Sequence, residues 1–119
     1  MNIVVLHGPC SVEPEVRLLP SGGHVMNLAL RVEGSNGRRT SVPVCVWDPP
    51  AWLETVGSGD ELVVLGRVVR RFFRTHGGPG SRVEVVADAI APVTRRRQVD
   101  ALLRRARTRF EAFEEPGPA

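Results

Sequence analysis

Residues 61–74, ELVVLGRVVRRFFR, and residues 81–93, SRVEVVADAIAPV, are two long valine-rich runs joined by THGGPG at 75–80. Runs of this length and β-branched content fold as strands, and the glycine-rich segment between them reads as a flexible hairpin turn. Val63, Leu65, Val68 and Phe72 form the expected buried half of the first strand, with Gly66 placed where a long strand bends or bulges. Its far end carries different chemistry, because Arg67, Arg70, Arg71 and Arg74 surround the adjacent rings of Phe72 and Phe73. Guanidinium groups answer phosphates and rings stack on bases, so a basic hairpin with exposed aromatics suits an unpaired nucleic-acid strand. The same residues also suit an ordinary strand with a solvated polar face.

The remainder of the chain must supply a body for this hairpin. Asn2 to Gly8 is a short apolar run ended by Gly8-Pro9 and reads as a central strand. Glu15 to Leu19 and His24 to Val32 form two strands around the turn Pro20-Ser21-Gly22-Gly23. In the second of these, Met26, Leu28, Leu30 and Val32 alternate with Val25, Asn27, Ala29 and Arg31, giving one apolar face and one mostly polar face. Ser35-Asn36-Gly37 is a hairpin turn, with Arg38 and Arg39 just past it. Thr40 to Trp47 follows as a strand containing Pro43, which donates no ladder hydrogen bond and so belongs at an edge, a bulge or solvent. AWLETVG at 51–57 reads as a short helix whose Trp52, Leu53 and Val56 would cap one end of a barrel. Short strands, one short helix and no βαβ alternation predict an all-β fold, a five-stranded oligonucleotide/oligosaccharide-binding (OB) barrel over residues 1–93.

Charge refines the expectation. Residues 1–93 hold nine arginines and nine acids and are neutral, so the formal +3 of the 119-residue chain resides in the seven arginines and four acids of residues 94–119. A neutral body binds phosphate only through local clustering. Every cation is an arginine, a planar fork suited to bidentate contacts and stacking. Cys10 and Cys45 sit in no CxxC pair and at no ligand spacing from a histidine, which predicts two reduced thiols, no metal and a cytoplasmic location. MNIVVLHG lacks the basic flank and length of a signal peptide, and no later apolar run is long enough to span a bilayer. No nucleophile elbow, phosphate-binding loop or metal-ligand cluster points to an enzyme or a cofactor.

The order of segments PEVRLLPSGGHVMNLALRV, SVPVCVW, GDELVVLGRVVRRFF and SRVEVVADAIAPV resembles the bacterial single-stranded DNA-binding protein family over residues 2 to about 93. The signature is Pro14-Glu15-Val16-Arg17, then Pro20 to Gly23, then Asn27, supported by the spacing from Gly66 to Phe73. The resemblance implies an OB-fold domain, usually a homotetramer, that coats single-stranded DNA with little sequence preference in replication, recombination or repair and has no enzymatic activity. It also implies a nucleoid-associated protein of the cytoplasm. By motif, Trp47 matches the aromatic ending the central strand and Phe73 the aromatic of the basic hairpin. Two further aromatic positions of the family are occupied by Asn36 and Ser41. The DNA-binding set predicted from residues and resemblance together is Trp47, Phe72, Phe73, Arg38, Arg39, Arg67, Arg70, Arg71 and Arg74. A rival reading is an OB-fold paralogue kept as an oligomerisation or protein-interaction module with weak or no DNA binding, motivated by the missing rings and the neutral body.

Residues 94–119 form the predicted C-terminal extension. Val99, Leu102, Leu103, Ala106, Phe110 and Phe113 recur near helical spacing, flanked by Arg104, Arg105, Arg107 and Arg109, predicting an amphipathic helix over about 95–114 and then a short flexible end. Its destinations, in order, are its own barrel or a sister subunit, nucleic acid, and a membrane surface; no membrane partner is expected for the protein as a whole. Relatives of the suggested family end in an acidic peptide that recruits repair enzymes. Pro116-Gly117-Pro118-Ala119 does not match it, so recruitment by that route is not expected.

Overall fold

The computed structural model describes residues 1–114. Its strands are β1 (Val4–Pro9), β2 (Glu15–Leu18), β3 (His24–Glu33), β4 (Arg39–Trp47), β5 (Glu61–Thr75) and β6 (Gly78–Pro92), followed by helix α1 (Arg96–Glu114). They form one sheet in the order β1-β5-β6-β4-β3-β2. Neighbours are antiparallel except β4 and β6, which run parallel over Val44↔Val85 and Cys45↔Val86. Pro43 falls just outside that two-residue ladder.

The sheet closes where β1 ends. Cys10 bridges Leu30, Ser11 N donates to Ala29 O at 2.9 Å, and Gly8 crosses β3 so closely that a Cβ would overlap the Arg31 carbonyl. Strands β1, β3, β4, β5 and β6 are the five staves of the barrel, and β2 is a short edge strand on β3. Met26, Leu28 and Leu30 of β3, Val44 and Val46 of β4, Leu62 and Val64 of β5 and Val85 of β6 fill the interior. Leu53 and Val56 cap it with Trp52 against them. The cap is a single 3-10 turn, Ala51–Thr55, rather than the helix expected over 51–57. Backbone at Pro50 and Val56 is extended on either side, and Thr55 Oγ1 donates to the Trp52 carbonyl at 2.6 Å.

The apolar run of β5 is continuous because both of its faces are covered. Leu62 and Val64 point into the barrel, while Val63 and Leu65 pack outward with Ala91 against Leu102 of α1. The predicted irregularity at Gly66 is present, and the extra residue lies on the facing strand. Register shifts from Leu65↔Ala89 to Gly66↔Ala87, leaving Asp88 as the bulge. Gly66 approaches β6 so closely that a Cβ would overlap the Val86 carbonyl. Beyond Val85 and Val86, which still pair with β4, the β5–β6 hairpin leaves the barrel as an arm with no layer over the face that carries Val68 and Phe72. Val68 and Phe72, expected to be buried, are therefore 41% and 77% exposed.

Two further boundaries differ from expectation. The hairpin ladder continues to Thr75↔Gly78, so only His76 and Gly77 form the turn, and Pro79 and Gly80 belong to the strand. Gly78, at φ 117°, permits that tight reversal. The first strand begins at Val4, and the Asn2 carboxamide instead bonds the backbone of Val68 as donor and acceptor, both at 2.8 Å.

Helix α1 docks on its own barrel through Val99, Leu102 and Ala106. Leu103, Phe110 and Phe113, read from the sequence as part of the same stripe, are exposed on the neighbouring side. Glu115 and the Pro116 to Ala119 end lie outside the described residues. Among the described residues no helix is long and apolar enough to cross a membrane. Cys10 and Cys45 are both buried and unbonded to each other.

Candidate nucleic-acid interface

Period-2 pleating sorts the side chains of β3, β4, β5 and β6 onto two faces, one in the barrel and one outside. The outer face has a small apolar floor of Val25, Cys45 and Val86, with Leu19 and Val69 at its margin. Burial pushes the Cys45 thiol up, the Glu84 charge adding to the effect, so the group serves as neutral floor. On the same face by parity stand Arg39, Ser41 and Trp47 of β4, Arg67, Arg71 and Phe73 of β5, and Arg82 and Glu84 of β6. Trp47, at the end of β4, is 48% exposed. From Trp47 to the level of Arg39 the face runs roughly 26 Å, at about 3.3 Å per strand residue.

Three arginines of this face, Arg67, Arg71 and Arg82, are held by carboxylates. Arg71 and Arg82 are direct cross-strand partners, a like-charge pair that Glu84 bridges. Arg71 Nε lies 2.7 Å from Glu84 Oε1, and Arg82 donates to Oε2 at 3.4 Å. Glu84 is 1% exposed, and its Oε1, although in ion-pair contact, accepts no well-aligned hydrogen bond. Arg71 also reaches Cys45 Sγ at 3.9 Å. Arg67 is fastened to the bulge residue, its Nη1 2.6 Å from Asp88 Oδ1. Burial alone would raise the Asp88 carboxyl. The hydrogen bond from Arg109 and the charge of Arg67 outweigh that and hold it below the usual carboxylate range.

The predicted residues are thus divided. Trp47, Phe73, Arg39, Arg67 and Arg71 share the outer face. Phe72, Arg70 and Arg74 occupy the other face of the arm, where Arg70 bonds Ser81 Oγ at 3.1 Å. Arg38 and Arg39 are exposed beside the Ser35–Gly37 turn, whose Asn36 adopts φ 69°. Arg82, Glu84 and Asp88 were not singled out from the sequence. The signal that finds the first two is parity, since counting in twos from Val86 passes through both.

A closed five-stranded barrel with a parallel contact between its third and fifth staves, and a one-turn cap between its third and fourth, defines an OB-fold domain. No protein-family model matches the chain. It is 34% identical over 83 residues to a single-stranded DNA-binding protein of Thermus thermophilus, a match covering 66% of this chain and 32% of that protein. A second single-stranded DNA-binding protein from the same species matches equally, with 31% of its length covered. Among solved structures, the wild-type single-stranded DNA-binding protein from Thermus aquaticus superposes with a TM-score of 0.65 at 30% identity, over 80% of this chain and 41% of that one. The chain spans about a third of the length of the curated relatives it matches. Through this domain the chain is similar to single-stranded DNA-binding proteins.

Proposed function

We propose that the chain binds single-stranded DNA without catalysis and with little sequence preference, along the outer face of β4, β5 and β6. Two exposed rings, Trp47 and Phe73, share one sheet face with the guanidinium groups of Arg39, Arg71 and Arg82, and this observation carries the reading. Trp47 and Phe73 stack bases; Arg38, Arg39 and Arg71 meet phosphates. Phe72, Arg70 and Arg74 hold a strand that folds around the arm. Arg67 contributes charge from its place beside Asp88. A role in replication, recombination or repair and a nucleoid-associated place in the cytoplasm belong to the same proposal, supported by the likeness to single-stranded DNA-binding proteins.

Self-association into a homotetramer or a dimer belongs to the same proposal. It is supported by β1, whose edge away from β5 meets β3 at its C-terminal end, near Gly8, Cys10 and Ser11, and which carries an exposed Val5. Light scattering at micromolar concentration tests it, and a monomeric mass counts against it. Titration with oligo-dT of several lengths at low and high salt tests DNA binding. Salt-dependent quenching of tryptophan fluorescence is expected, and absence of binding at low salt overturns the reading. One observation favours the rival, an assembly module with weak DNA affinity: Arg67, Arg71 and Arg82 are each paired to a carboxylate of their own chain.

A further inference from the structure

The β6 bulge gathers charge from parts of the chain distant in sequence. Arg67 Nη1 donates to Asp88 Oδ1 at 2.6 Å, Arg109 Nη1 to Oδ2 at 2.8 Å, and Arg105 Nη1 to the Asp88 carbonyl at 3.0 Å. A guanidinium carries five N–H donors, and the contact to Asp88 engages one nitrogen of each. Arg67 is 49% exposed and Arg109 33%, whereas Asp88 is 17% exposed, so the surplus donors face solvent and the carboxylate faces inward. The cluster meets the Trp47 groove through Asp88: one groove of about 280 Å³ is lined by Trp47, Asp48, Pro50, Asp88 and neighbouring residues of β6. The remaining acid there, Asp48, turns Oδ1 toward Gly23 on the β2–β3 turn.

We infer that Arg67, Arg105 and Arg109 form a phosphate subsite beside Trp47, with helix α1 supplying two of its three guanidinium groups. This rests on the single-stranded DNA reading and extends the interface past the end of β4 onto the helix. Asp88 is the positioning residue: it fixes three mutually repelling cations in one place and leaves their free N–H groups for a backbone phosphate of the nucleotide next to the one stacked on Trp47. The docking of Val99, Leu102 and Ala106 on β5 and β6 aligns Arg105 and Arg109 with the bulge.

Oligo-dT titrations of the full chain over a range of salt concentrations test this, with hydrogen exchange of α1 recorded for each variant. Arg105→Gln/Arg109→Gln is expected to weaken binding about tenfold at low salt and to flatten the plot of log K against log salt by roughly 0.7, the value for one phosphate contact on a single strand. The charge-matched Arg104→Gln/Arg107→Gln, on exposed positions away from Asp88, is expected to leave that slope unchanged. Asp88→Asn keeps one side-chain oxygen and the backbone carbonyl that Arg105 uses while removing the competing charge, and is expected to tighten binding about threefold. Equal losses in the two double variants would mean diffuse attraction and overturn the subsite, as would weaker or unaltered binding in Asp88→Asn with α1 still protected. If unsubstituted protein binds and quenches while both double variants match it, the subsite alone falls. If unsubstituted protein fails to bind at low salt, the subsite falls together with the DNA reading.

Discussion

The ring of Phe73 lies across its strand partner Gly80, so close that a Cβ on Gly80 would stand 2.7 Å from Cε2. Glycine leaves a flat bed on which the ring rests with one face covered and the other open, at 40% exposure. A ring held in this way presents a stacking surface already ordered before a base arrives, which lowers the entropy lost on binding. Phe73→Ala is expected to weaken oligo-dT binding by about 1–3 kcal/mol, roughly 5- to 150-fold, the range for one stacked base. Gly80→Ala keeps the ring but tilts it off the strand. It should produce a smaller loss of the same sign with the urea midpoint little changed, and equal affinities in wild type and both variants would remove Phe73 from the interface.

The two tryptophans occupy opposite kinds of site. Trp47 ends β4 exposed on the outer face, while Trp52 packs partly buried against the barrel core beside Leu53. Trp47→Phe is therefore expected to abolish most of the DNA-induced quenching, and Trp52→Phe to preserve it. The converse pattern would place the bound strand at the capped end of the barrel.

Glu84 sets stability against binding. The nearly fully buried carboxylate pairs with both Arg71 and Arg82, which remain partly in water, so its loss costs less than that of a fully enclosed pair. Glu84→Gln is expected to destabilise the fold by about 1–3 kcal/mol in urea unfolding. The same change frees both guanidinium groups for phosphate, and oligo-dT affinity should rise. A fall in affinity with the fold intact would mean that Glu84 holds the arginines in the geometry DNA needs.

The barrel was legible because it rests on local signals: alternation in β3, turn residues at Ser35 to Gly37, and Gly66 at the bend. Trp47 and Phe73 were legible as exposed rings because each ends or extends a strand beyond the core. What the sequence concealed are relations between distant segments. The run from Leu62 to Leu65 does not alternate, since one of its faces meets the barrel and the other meets α1, and nothing local to β5 records that helix. Val68 and Phe72 have the period of a buried face, but the arm carries them past the layer that would cover them. Arg67 and Arg71 read as free cations because their partners lie on the facing strand, Glu84 two residues along from the direct partner of Arg71 and Asp88 as the bulged residue itself. A pairing that depends on one inserted residue is invisible until the ladder is known.

The Asp88 latch makes helix docking sensitive to acid. The folded protein holds this carboxyl below its ordinary value, since the Arg109 hydrogen bond and the Arg67 charge outweigh burial. Below neutrality the unfolded chain therefore binds a proton at Asp88 before the folded chain does, and stability falls as pH falls. The contribution is complete above the unfolded carboxylate value of about 3.9 and is lost progressively below it, through the lower folded value. Protonated Asp88 is a poorer acceptor for Arg67 and Arg109, so α1 should loosen first while the barrel interior, built from apolar side chains, persists. Hydrogen exchange at pH 3 is expected to show less protection in α1 than at pH 6, with the amides of Leu62 and Val64 little altered. Asp88→Asn should remove most of that pH dependence. Equal acid sensitivity in the variant would assign the effect to other carboxyl groups.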